Sequence, residues 1–143
     1  MNEGQDVLGA WLADFLARNR GTSGTVHLAA PGGLRLAAWV NIPEKLREIV
    51  AWVPEGKGMA GLAQQRGTPI QTCNLKEDTS GTVKPGAKAV DAMAAVAIPV
   101  KAADGRVCAV VGIAFADERQ FVGGEIEVLS ESAATLPSVT PES

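Results

Sequence analysis

The stretch PEGKGMAGLAQQRGTPIQTCNL, residues 54–75, decides how this chain folds. Its glycine-rich start leads into a short helical segment over residues 58–66, with Met59, Leu62 and Ala63 on one side. Gly67, Thr68 and Pro69 stop that helix, since glycine readily takes a left-handed cap and proline cannot continue the turn. Residues 70–73 then form a short strand. A tight turn, a short helix, a stop and a short strand make one wall of a pocket. The order identifies a fold without naming what fills the pocket.

The strongest strands lie downstream, at residues 92–100 and 107–116, joined by a turn at Ala103, Asp104 and Gly105. Both are apolar at nearly every position, the pattern of strands covered on both faces, so they are central in the sheet. Upstream, residues 6–18 place Val7, Leu8, Trp11, Leu12, Phe15 and Leu16 on one helical stripe, with Gly21 as the stop. Residues 24–30 and 34–40 form a hairpin around Pro31, Gly32 and Gly33, with Leu34, Leu36, Ala38 and Val40 on one face. Pro43 opens a helical turn over residues 44–48, and residues 49–53 are a short apolar strand. The last helix spans residues 123–136, with Ile126, Leu129, Ala133 and Leu136 on its stripe, and residues 137–143 fray. Residues 74–91 form a polar loop, and loops longer than roughly 12–15 residues are commonly functional lids.

The whole chain of 143 residues makes one domain. With 46% hydrophobic and 20% charged residues, it can bury a core. A net charge of −3 without a basic cluster argues against nucleic acid as a partner. No apolar run approaches the ~18 residues of a membrane span, and Glu3 and Asp6 are unlike the start of a secretory signal, so the expected location is cytoplasmic. Two cysteines and one histidine give neither a disulfide framework nor a metal site.

The order of elements predicts an α+β layering. The two terminal helices cover one face of an antiparallel sheet of five or six strands. The other face is left to residues 41–91, which offer only short elements and a long loop. An irregular cover leaves a concavity, the kind of place where small molecules bind.

Taken together, residues 54–61 (PEGKGMAG), 67–70 (GTPI), 97–100 (AIPV) and 104–107 (DGRV), with the lead-in to the last helix at residues 121–125, resemble the GAF domain family. The resemblance covers about residues 22–136 and implies a ligand cavity. The family includes free methionine sulfoxide reductases of similar length. These carry a cysteine in the glycine-rich lead-in and two more in the following loop and strand region. Here Met59 occupies the lead-in position and residues 74–91 contain no cysteine, so the thiolate nucleophile is missing. The Cys-His neighbourhood of bilin-binding members is also absent, since Asn74 follows Cys73.

The candidate ligand-binding residues are Trp39, Trp52, Gly58, Met59, Gly61, Thr72 and Cys73; catalytic and metal-binding residues are none. Trp39 and Trp52 either stack on a planar ligand or plug the cavity as core. Gly58 and Gly61 either present backbone N–H groups to an anion or only permit a tight turn. Cys108, on an apolar strand, reads as a small core residue, and His27, on an edge hairpin, as surface-exposed. Gly112 inside a central strand predicts close approach by a neighbour or a ligand.

The function expected is that of a small-molecule-binding regulatory domain in signal transduction, with no cofactor identified. Its output would act in trans or through a homodimer formed by the terminal helices, the first of which is expected to expose Trp11 and Phe15. The alternatives are a reductase-like enzyme and a structural dimerisation module with a filled cavity.

Overall fold

The computed structural model describes residues 3–72, 94–116 and 124–136. Among the described residues, four helices and six strands follow one another as α1 (Glu3–Asn19), β1 (Ser23–Ala30), β2 (Gly33–Val40), α2 (Glu44–Val50), β3 (Trp52–Pro54), α3 (Gly58–Arg66), β4 (Ile70–Thr72), β5 (Ala94–Lys101), β6 (Val107–Phe115) and α4 (Glu125–Ala133). The strands form one antiparallel sheet in the order β3-β2-β1-β6-β5-β4. The two long apolar strands are interior, as their composition requires. The expected lid lies outside the described residues, as does Cys73.

Helices α1 and α4 close one face of the sheet. Leu8, Leu12, Phe15 and Leu16 of α1 recur at helical spacing and pack with Val26, Val96, Ile98, Val111, Ile113 and Phe115 from the strands and Leu129 and Ala133 from α4. Trp11 stacks on Phe15 with ring centroids 5.0 Å apart, and its indole N–H donates to Thr135 Oγ1 at 3.0 Å. Phe15 is buried and Trp11 half-buried, so neither is an exposed dimer contact. They face inward because the stripe that carries them is the one the sheet covers. Val7, expected on that stripe, is 47% exposed. The helix ends two residues before its glycine: Arg20 takes the left-handed conformation (φ 64°), and Gly21 N–H reaches back to Leu16 O.

A second apolar cluster lies on the opposite face, with Leu34, Val53, Ala63, Ala97 and Val110 at its centre and Met59, Ala60 and Val50 against it. Here β2 departs from the expected alternation. Val26 pairs with Ala38 but His27 with Leu36, leaving Ala37 as an extra bulged residue. The bulge shifts the side-chain alternation, so Leu34 belongs to this second cluster while Ala38 belongs to the α1 side. The expected strand over residues 49–53 is also displaced. Ile49 and Val50 complete α2, and the strand begins at Trp52, where pairing with Arg35 starts.

A second bulge explains Cys108. Ala109 pairs with Val100 and Val107 with Lys101, so Cys108 is the surplus residue and is free and exposed rather than in the core. His27 differs from expectation in the opposite sense. Its strand lies between β2 and β6, not at the edge, and the side chain is 2% exposed.

Candidate functional site

A cavity of about 150 Å³ separates the second face of the sheet from α2 and α3. Its floor comes from alternate residues of the inner strands. These are Ala95 and Ala97 of β5, Gly112 and Ala114 of β6, and Ser23, Thr25 and His27 of β1. The floor is low because those positions of β5 and β6 carry little side chain. A Cβ on Gly112 would sit 2.8 Å from Thr25 Oγ1, so the neighbouring strand allows nothing larger there without shifting. The roof is apolar, with Leu46 and Val50 of α2, Val53 of β3 and Met59 of α3.

The amino end of α3 opens onto the same space, and Lys57, Gly58, Met59 and Ala60 all border it. A turn sets up this end, with Lys57 N–H donating to Pro54 O at 3.1 Å. The helical bonding begins with Gly61 N–H to Lys57 O at 3.0 Å, so the Gly58, Met59 and Ala60 amides precede the first intrahelical bond. No side chain among the described residues caps them. Gly61 is buried against the turn, where a Cβ would come within 2.5 Å of Pro54 O, so glycine there permits the turn to fold under the helix. At the other end, Gly67 N–H closes on Ala63 O.

Two polar side chains of β1 matter for the chemistry of the floor. His27 Nε2 lies 2.9 Å from Val50 O. A carbonyl oxygen only accepts, so Nε2 carries the proton, and this bond holds the end of α2 over the sheet. Ser23 is 3% exposed, and its buried Oγ has no hydrogen-bond partner among the described residues. A buried hydroxyl left without a partner costs about 1–3 kcal/mol. Among the described lining residues none is acidic and Lys57 is the one cation.

Of the residues singled out in the sequence, Gly58 and Met59 border the cavity, while Gly61 lies behind it as a packing residue. Trp39 and Trp52 are absent from the described lining. Trp39 lies under the Arg47 guanidinium, 5.1 Å from its ring centroid, and belongs to the packing of α2. Trp52 is 44% exposed on the outermost strand, its ring close over Gly33. The tryptophans therefore neither form the described wall nor plug the void. Thr72 pairs with Ala95 at the end of β4. Sequence reasoning missed Ser23, Thr25 and His27. The available signal was an alternation of size within the two uniformly apolar strands, with Ala95, Ala97, Gly112 and Ala114 on one side and Val96, Ile98, Val111 and Ile113 on the other.

One closed face, one hollow face and a six-stranded antiparallel sheet between them define an α+β domain with a hollow on one side. The chain belongs to the GAF domain family, whose model matches residues 6–137. No curated protein matches it in sequence. Among solved structures it is similar to the type II free methionine-R-sulfoxide reductase of Thermoplasma acidophilum, with a TM-score of 0.75 and 16% identity over 93% of this chain and 90% of that one. It is similar to the GAF domain of an Acinetobacter phosphoenolpyruvate-protein phosphotransferase, with a TM-score of 0.73 and 16% identity over 95% and 81% of the two chains. It is also similar to the free methionine-R-sulfoxide reductase of Neisseria meningitidis in complex with its substrate, with a TM-score of 0.73 and 17% identity over 94% and 75%. At these identities the likeness is one of fold.

Proposed function

We propose that the protein is a sensory or regulatory GAF domain that binds a small molecule between the sheet and α2–α3, and that it is not an enzyme. The observation that carries this reading is the cavity itself, about 150 Å³ of largely apolar space bordered by Gly58, Met59 and the small residues of β5 and β6. A void of that order takes a molecule of about benzene size. Strand β6 gives occupancy a route outward. Gly112 and Ala114 border the cavity, and Ile113 and Phe115 pack in the core beneath α1 and α4. An occupant that moves this strand also moves the packing of the terminal helices. Homodimerisation through those helices would use Val7 and Val128, which are exposed. No helix among the described residues is long and apolar enough to cross a membrane.

Native mass spectrometry of the protein as purified from cells tests this reading. A mass excess of one small molecule is expected, lost on denaturation. A mass equal to the chain alone under gentle conditions would favour the structural alternative.

A second reading, a free methionine sulfoxide reductase-like enzyme, draws support from the reductases among its structural neighbours. Met59 at the cavity wall and an exposed Cys108 outside the described lining count against it. Turnover of free methionine sulfoxide by the parent protein, lost on changing Cys73 and Cys108 to serine, would replace the sensor reading with this one.

A further inference from the structure

Three features of the cavity ask for the same chemistry. The uncapped amino end of α3 presents the Gly58, Met59 and Ala60 amides and the positive end of the helix dipole. Lys57 adds a cation at the same end. Ser23, buried and without a hydrogen-bond partner among the described residues, has an O–H to donate. All are satisfied by acceptor oxygens, and negative charge is favoured at a helix amino terminus. The remaining walls are apolar, formed by Leu46, Val50, Val53 and Met59. No described lining residue is acidic, so an ammonium group brought inside would lose its hydration without gaining a carboxylate among the described residues.

We propose that the cavity receives a small monocarboxylate with an apolar body and no amino group. Its carboxylate meets the amino end of α3 and Lys57, Ser23 donates a further hydrogen bond to one of the carboxylate oxygens, and its hydrocarbon fills the space under α2. This rests on the reading that the cavity binds a small molecule, and it names the class. The size of the void suits short branched or single-ring acids.

Three probes with one hydrocarbon body separate the contributions: 4-methylpentanoate, 4-methylpentan-1-ol, and leucine, which is the same acid bearing an ammonium. Each is titrated into the ¹⁵N-labelled protein and followed by amide chemical shifts. The acid is expected to saturate with shifts at Met59 and Ala60, and to bind at least about tenfold more tightly than the alcohol or leucine. Lys57→Gln should weaken the acid by about 3- to 10-fold and leave the alcohol unchanged. Ser23→Ala should weaken the acid too, and Lys57, being exposed, keeps the test independent of any folding defect in that variant. Binding of the alcohol at least as tight as the acid would overturn the acid class while leaving a ligand cavity in place. Equal binding of leucine would overturn the exclusion of amino acids. If none of the three binds, the class fails, and xenon-induced shifts at Ala97 and Gly112 then decide whether the cavity reading survives.

Discussion

The two faces of the sheet are built by the same strands, yet one is solid and the other hollow. Toward α1 and α4 the strands present Val96, Ile98, Val111, Ile113 and Phe115, and the 17-residue α1 sets Leu8, Leu12, Phe15 and Leu16 among them. Toward α2 and α3 the same two strands present Ala95, Ala97, Gly112 and Ala114, beneath helices of seven and nine residues. Large side chains against a long helix interdigitate to crystal-like density. Small side chains under short helices do not reach their cover. Stability is therefore concentrated on one side of the sheet and the capacity to bind on the other.

The sharpest way to break that division is Leu12→Ala, at a fully buried position on the solid face. It should lower unfolding free energy by about 2–5 kcal/mol in urea denaturation, while affinity for 4-methylpentanoate is unchanged in the molecules that remain folded. On the hollow side, Gly61→Ala drives a Cβ to 2.5 Å from Pro54 O. A loss of about 1–3 kcal/mol is expected in the same assay, here with weakened acid binding because the amino end of α3 must shift. His27→Leu leaves Val50 O without its donor and should cost about 1–3 kcal/mol, with faster hydrogen exchange across α2 as the specific readout.

Ala114→Leu places three carbons into the void from the floor. Stability should stay within about 1 kcal/mol, because space is available, while acid binding is abolished. The smallest effect belongs to Cys108→Ser. An exposed residue at a bulge contributes little, and stability should remain within about 0.5 kcal/mol.

Much of this division was legible in the sequence. The terminal helical stripes, the two inner apolar strands and the Gly58 to Gly67 helix all follow from local periodicity and capping, which a single chain displays directly. The GAF resemblance rested on the order of those signals. What escaped depended on pairing between strands. A bulge is a relation between two strands, so neither the side-switch around Ala37 nor the exposure of Cys108 could be read from one of them. His27 was misplaced because the order β3-β2-β1-β6 puts its hairpin inside the sheet. The tryptophans drew attention because aromatic rings often line pockets, whereas this cavity arises from missing side-chain volume. Gly112 did predict a close approach, and the neighbour is Thr25. The matching alternation of alanine and branched residues in β5 and β6 was visible, but hydropathy alone does not distinguish alanine from valine strongly enough to show it.

The central claim is that one face of this sheet holds a fillable void and the other does not. Crystals pressurised with xenon test it most directly. The account predicts xenon density between β6 and α3, beside Gly112 and Met59, and none between the sheet and α1. Xenon under α1, or no xenon beside Gly112, would contradict it.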